Sequence, residues 1–305
     1  MPNSSAIQTP VLLILFNRFD TALQVIAQLR LAKVQRLYLF SDGPRTNRAS
    51  ESAILNEVQE KILAQIDWPC EIITRFEPKN EGPRLAIGKA ITWFFEHEEE
   101  GIVLEHDCVP NQSFFHFCQE LLTHYRHDER IMHISGDNFQ FGNWRGDGSY
   151  YFSKLNHIWG FATWRRAWKQ YDVDMKAYPE FREKGQVNTQ IDFARGQKIW
   201  TDTFDKTFSG TLQTWDYQWT FAMWLKDGFA ILPNKNLVSN VGFDALALNT
   251  TNPNHRLANL ETFDIKDIAH PSVVQIDAKA DKYSINEVFN PTILKFALRK
   301  FGLIK

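Results

Sequence analysis

Residues 10–16 form an unbroken apolar run of strand formers, too short for a helix, which predicts a strand buried on both faces. Directly after it, Ala22, Val25, Ile26 and Leu29 recur at helical spacing. The alternation then repeats. The run Arg36-Leu37-Tyr38-Leu39-Phe40 stops at Ser41-Asp42-Gly43-Pro44, whose turn chemistry ends a strand at a polar loop. A helix is predicted over about 50–66 and a strand over 70–76. Asn80-Glu81-Gly82-Pro83 then turns into a helix over about 84–97. Residues 101–105 supply a fourth strand, which runs straight into Glu105-His106-Asp107. Strand and helix alternating in this way predict an α/β fold with a mostly parallel sheet and right-handed crossovers. Ligands of such sheets bind beyond the carboxyl ends of the strands. Phe16-Asn17-Arg18, Ser41-Asp42 and Glu105-His106-Asp107 therefore share one rim.

The second half is less regular. A helix is predicted over 113–125, then an aromatic, glycine-rich and irregular region to about residue 152, read as loops over a site. Residues 156–171 read as a strand or turn leading to a helix, and 177–195 as a charged helical stretch. Residues 214–227 are helical with Trp215, Trp219, Ala222 and Met223 on one stripe, and 229–232 form a late strand. From Pro291 onward, Leu294, Ala297, Leu298 and Phe301 share a face beside Lys295, Arg299, Lys300 and Lys305. That helix over 291–305 suits either a peripheral membrane contact or ordinary docking with a solvated basic face.

With 305 residues and neither repeat nor low-complexity linker, one elaborated domain is expected. Its first half covers about 8–125 and its second about 126–290. A formal charge of -2 gives no general attraction for nucleic acid or an anionic membrane, so any phosphate recognition must be local. Cys70, Cys108 and Cys118 lack the spacing of a zinc ribbon or disulfide framework, and the run at 11–16 is about a third of a membrane span with no basic region before it. A cytoplasmic location is the expectation. Ten tryptophans, most between residues 139 and 224, fill a core or stack on sugar faces, and the core is the simpler use for each.

A hard divalent cation takes oxygen ligands, and a strand-end acid such as Asp107 suits one; a solvated loop is the plain alternative for this tripeptide. Its context resembles a known family. Phe16-Asn17-Arg18, Ser41-Asp42-Gly43 and Leu104-Glu105-His106-Asp107-Cys108-Val109-Pro110, with Phe114-Phe115 following, are similar to the GT-A nucleotide-diphospho-sugar transferases. More narrowly they resemble the branch that includes the Golgi N-acetylglucosaminyltransferase initiating complex N-glycans and many bacterial envelope glycosyltransferases. The resemblance continues in order through the segment from Arg84 to Trp93, through Trp159-Gly160-Phe161-Ala162-Thr163-Trp164 with Trp168 beyond, and through Trp215-Asp216-Tyr217-Gln218-Trp219.

The resemblance implies a GT-A, Rossmann-like fold with a C-terminal acceptor-side elaboration, its nucleotide-binding half over about 8–125 and its acceptor-side half over about 126–290. It also implies inverting transfer from a nucleoside diphosphate sugar, a UDP-sugar first, to a glycan or lipid-linked saccharide in surface polysaccharide synthesis. Asp107 then holds Mn2+ or Mg2+, and Asp216 is the catalytic base, its alternative being an N-cap. Asp42 holds the nucleobase or is a plain turn residue. Arg18 and Arg84 face the diphosphate or serve as surface ion-pair partners. Phe16, Asn17, Glu105 and His106 complete the nucleotide site.

Two positions depart from the family. His106 replaces the middle acid of the usual Glu-Asp-Asp triplet, and a neutral imidazole can still ligate a metal or donate to a ribose oxygen. After Ser239-Asn240-Val241-Gly242-Phe243, relatives carry Ala-Thr-His-Thr where this chain has Ala247-Leu248-Asn249-Thr250; the nearest other histidine is His255. Sugar nucleotidylyltransferases and nicotinamide oxidoreductases need a glycine-rich loop after the first strand, which Phe16-Asn17-Arg18-Phe19 is not. The non-enzyme rival is a carbohydrate- or nucleotide-binding protein of the same fold without catalysis.

Overall fold

The computed structural model describes residues 6–244 and 252–289. Its first half alternates as expected: β1 (Val11–Leu15), α1 (Phe19–Leu31), β2 (Arg36–Ser41), α2 (Glu51–Ala64), β3 (Glu71–Phe76), α3 (Pro83–His97) and β4 (Glu100–Glu105). Next come β5 (Cys108–Pro110), α4 (Gln112–His124), β6 (Ile131–Ser135), β7 (Tyr150–Ser153) and β8 (Phe161–Trp164). They are followed by α5 (Arg165–Trp168), α6 (Tyr178–Glu183), α7 (Val187–Gln190), α8 (Ala194–Phe208) and α9 (Asp216–Leu225). The described chain ends with β9 (Phe229–Pro233), β10 (Val238–Asn240), α10 (Ala278–Ser284) and a π-helical turn, Ile285–Phe289.

Local chemistry accounts for the boundaries nearest the rim. Pro83 takes the first position of α3, where its fixed φ suits a helix and its missing N–H is not needed. Asn111 caps α4 by accepting from the Phe114 N–H. In α1, Thr21, Ala22, Val25, Ile26 and Leu29 are the buried stripe.

The main sheet has the order β3-β2-β1-β4-β8-β6-β9-β7. β1 to β4, β6 and β9 run one way, while β8 and β7 are antiparallel to their neighbours. The result is an α/β fold around a mostly parallel sheet with helices on both faces. On one face, Leu12, Phe40 and Val103 pack with α3 and with the tryptophans of α5 and α9. On the other, Leu13, Leu39 and Leu104 pack with α1, α2 and α4. This two-sided burial explains the unbroken apolar runs. Trp164, Trp168, Trp200, Trp215, Trp219 and Trp224 are all core, whereas Trp144 is exposed. All three cysteines are free thiols.

Two expectations fail. The region before residue 152 is not all loop, since β6 and β7 belong to the sheet. His133 interrupts the apolar run of β6 and hides it, yet the side chain is wholly buried and satisfied: it hydrogen-bonds the His157 carbonyl at 2.8 Å and accepts from the Trp219 indole at 3.1 Å. Residues 177–195 are not one helical stretch. Gly185, at φ 62°, breaks α6 from α7, and the extended Phe193 then starts α8, which runs on to Phe208. The helix expected over 291–305 and the segment Ala247-Leu248-Asn249-Thr250 lie outside the described residues. Among the described residues no helix is long and apolar enough to cross a membrane.

The late chain is tied back to the sheet at Asp281 of α10, which accepts from the Ser153 hydroxyl and, at 3.0 Å, from the Lys154 N–H. Burial pushes this carboxyl up to about 7, so between its unfolded value and about 7 the folded protein holds a proton that the unfolded chain has lost. The associated stability is complete at acid pH and declines as pH rises through that window. The variant Asp281→Asn should therefore gain on the wild type in melting temperature from about pH 4 to about pH 8. Parallel pH profiles for the two proteins would contradict this.

Candidate active site

Register places the rim. Leu15 lies opposite Ser41, Ser41 opposite Phe76 and Ile14 opposite Glu105, so the loops after β1, β2, β3 and β4 leave the sheet at one level. Glu105, His106 and Asp107 emerge there with their side chains half-buried. Across from them α9 delivers Asp216 as its first residue.

Glu105, Asp107 and Asp216 converge. Burial, then the charges of Asp107 and Asp216, push the Glu105 carboxyl up to about 8, against a hydrogen bond from the Trp215 side chain. Burial and the neighbouring carboxylates thus favour the neutral form of Glu105. Asp216 accepts from the Thr214 hydroxyl, and burial raises its pKa as well. The cap of α9 is Trp215, which makes no side-chain capping bond, so Asp216 stands one residue past the N-cap position and remains half-buried. Burial lowers the pKa of His106 and favours a neutral imidazole.

A small second sheet completes the wall. β10 pairs with β5, Asn240 opposite Cys108, and carries residues 241–244 onto Asp107. The Val241 N–H donates to the Asp107 carbonyl at 2.9 Å, and the Gly242 N–H donates to Asn240 Oδ1 at 2.8 Å. A Cβ on Gly242 would collide with the Asp107 carboxylate. The ring of Phe243 stacks on His255, 5.3 Å between centroids.

Arg18 is held by two acids, donating to Asp20 at 3.0 and 2.9 Å and to Asp244 at 3.1 and 2.8 Å. The hydrogen bond to Asp20, above all, raises its pKa against burial. It thereby fastens the loop after β10 to the loop after β1. Arg84 has other surroundings: Nη2 donates to the Val173 carbonyl at 3.0 Å and lies 3.8 Å from Asp174, its ion-pair partner, and Nε is buried with no partner among the described residues. Asp42 is an organiser of the next loop, accepting from the N–H groups of Gly43, Glu81 and Gly82 and from the Asn80 amide, at 2.8–3.2 Å. It acts here as a turn residue, with its carboxylate oxygens engaged by that loop. Phe16 faces the Arg45 guanidinium at 5.1 Å, and Asn17 donates to Glu51 at 3.4 Å.

Sequence reasoning missed Asp244, Asn80, Arg45 and Glu51. Asp244 had a signal, as the first acid after the Ser239–Phe243 motif; the buried Glu51, bound by Arg45, reads in sequence as an ordinary acid in a helix's first turn.

A hard divalent cation at this rim would meet an incomplete protein shell. Among the described residues no three His, Cys, Asp or Glu side chains form a closed metal group. The donors at the rim are carboxylate oxygens, and the crowding that raises Glu105 is relieved by positive charge beside Asp107. Such an ion would take one or two protein oxygens and complete its shell with ligand oxygens and water. Two cavities of about 110 Å3 and 140 Å3 are lined by other residues, around Gln190 and Trp144.

No protein-family model matches the chain, and no similar curated protein is found. Similar solved structures include a mannosyltransferase from Pyrobaculum calidifontis in complex with GDP-Man and Mn2+, with 11% identity and a TM-score of 0.38 over 57% of this chain and 50% of that one. HddC from Yersinia pseudotuberculosis has 11% identity and a TM-score of 0.33 over 57% and 87%. The inositol-1-phosphate CTP transferase from T. maritima has 8% identity and a TM-score of 0.32 over 57% and 83%. The chain spans about half the length of the mannosyltransferase.

The close approach at Gly242 is testable by itself. Gly242→Ala should destabilise the protein by about 1–3 kcal/mol in urea unfolding, since the loop or the Asp107 carboxylate must move. Unchanged stability would mean that the loop does not rest on Asp107.

Proposed function

We propose that this chain is an inverting glycosyltransferase that moves a sugar from a nucleoside diphosphate sugar, UDP-linked in the first instance, to a hydroxyl of a glycan or lipid-linked saccharide. The observation that carries this reading is the meeting of Asp216, delivered by α9, with Glu105 and Asp107 at the carboxyl end of β4. A carboxylate across from a cation-binding acid is what an inverting displacement needs: one side stabilises the leaving diphosphate, the other accepts the attacking hydroxyl's proton.

The residues divide the work. Asp107 is the cation ligand, with Glu105 beside it as a hydrogen-bond donor while protonated and a second oxygen ligand once ionised. A bound Mn2+ or Mg2+ supplies charge at the developing phosphate oxyanions. Asp216, its basicity raised by burial, takes the proton from the acceptor hydroxyl. Arg18 and Arg84 are the guanidinium groups for the diphosphate, Arg18 exchanging carboxylate partners for phosphate oxygens. Phe16, Asn17 and the loop organised by Asp42 form the wall for base and ribose, where His106 is a neutral donor.

Calorimetric titration with UDP and with GDP, each with and without Mn2+, tests the reading on the wild type and on Asp107→Ala. Nucleotide binding that requires Mn2+ in the wild type and disappears in the variant is expected. Binding indifferent to both the cation and Asp107 would remove the metal from the scheme, and no binding of either nucleotide would remove the donor.

Asp216→Asn separates chemistry from binding. It should lower UDP release from a UDP-sugar in the presence of acceptor by about a hundredfold or more while leaving the nucleotide's Kd within about threefold. Equal losses in both would assign Asp216 to binding.

A further inference from the structure

Two of the buried hydrogen-bond donors that have no partner among the described residues are the Tyr171 hydroxyl and Arg84 Nε. Both belong to one built feature. The Tyr171 ring lies flat on Trp168, 4.3 Å between centroids and 12° between planes, and Trp168 packs at 6.3 Å on Trp215, the residue before Asp216. On its other side the phenol rests on α3 at Gly88. A Cβ there would lie 3.0 Å from the ring edge and 3.1 Å from the hydroxyl, so the missing side chain is what lets the phenol settle on the helix. Arg84 is one turn earlier on the same face of α3, and it donates to the Val173 carbonyl two residues beyond Tyr171. After burial, the charges of Asp216 and Arg84 act on the Tyr171 phenol with opposite sign, which marks both as its neighbours.

A clamped ring with an unsatisfied hydroxyl is poor design for stability alone, because a buried donor left unmade is unfavourable, and phenylalanine would fill the same space without that penalty. The hydroxyl therefore points to a partner that comes and goes. Its place fits the transferred sugar of the proposed reaction, because the phenol feels both Arg84, proposed for the diphosphate, and Asp216, proposed as the base.

We propose that Tyr171 is a specificity-determining residue, donating a hydrogen bond to a hydroxyl of the donor sugar, so that the site selects a hydroxylated pyranose and not the nucleoside diphosphate alone. This rests on the reading of the site as a sugar-transfer centre. Gly88 is the positioning residue that seats the phenol.

The test is calorimetry in Mn2+ with UDP, UDP-glucose, UDP-galactose and UDP-N-acetylglucosamine on the wild type, Tyr171→Phe and Gly88→Ala, with melting curves of the ligand-free proteins. Tyr171→Phe should melt at or above the wild-type temperature and bind UDP within about twofold, while its affinity for the preferred UDP-sugar relative to UDP falls about tenfold. Gly88→Ala, which keeps the hydroxyl but presses on the ring, should shift the same ratio in the same direction. An unchanged ratio in Tyr171→Phe overturns the proposal, as does a parallel loss of UDP and UDP-sugar binding with a lower melting temperature, the signature of a structural tyrosine. A wild type that binds UDP but none of the three UDP-sugars also overturns it, and leaves the nucleotide site standing. A wild type that binds neither UDP nor GDP overturns the proposed function and this inference with it.

Discussion

The constraint on which the rest depends is the placement of Asp216 against Asp107 and Glu105. Like charges repel, so the elements that carry them must be held by something stronger than the charges' own preference. On one side that support is the parallel pairing of β1 with β4, which leaves the acidic tripeptide no freedom along the strand direction. On the other it is a set of buried polar bonds that fix α9. The Trp219 indole donates to His133, Thr220 Oγ1 donates to Asn156 Oδ1 at 2.6 Å, and the Trp224 indole donates to the Lys154 carbonyl at 2.6 Å. Burial lowers His133 to about 4, which keeps the ring nitrogen facing Trp219 free to accept. The tryptophans that suggested sugar stacking are thus the anchors of the helix bearing Asp216.

The wall opposite works differently. Residues 241–244 reach Asp107 because β10 pairs with β5, and Arg18 pins the far end through Asp244. Arg18 is thereby charged, oriented and neutralised at once. In the proposed site, a phosphate at the rim would compete with Asp20 and Asp244 for this guanidinium and so act on the hold that Arg18 has on residues 241–244. Asp42 performs the corresponding task at the other edge, where its hydrogen bonds shape residues 80–82 and so fix the start of α3.

The parallel half was legible because each of its strands is buried on both faces and reads as an unbroken apolar run ending in turn residues. Each boundary there fell within a few residues of the structure. The antiparallel half was not: β6 carries a histidine whose burial is tolerable only through partners at His157 and Trp219, and no local pattern reveals such partners. The three acids that the structure brings together could be singled out because they sit where strand and helix ends are chemically marked. Asp244, Asn80 and Tyr171 escaped because each matters through a contact with a residue distant in sequence.

Diffraction from crystals soaked in Mn2+ and UDP, collected to give the manganese anomalous signal, tests the central placement most directly. A single anomalous peak at coordination distance from the Asp107 carboxylate is expected, with the diphosphate on its other side and Asp216 facing the open position beyond it. A manganese ion bound elsewhere, or a nucleotide seated away from the β4 rim, would contradict the assignment of this acidic cluster as the reaction centre.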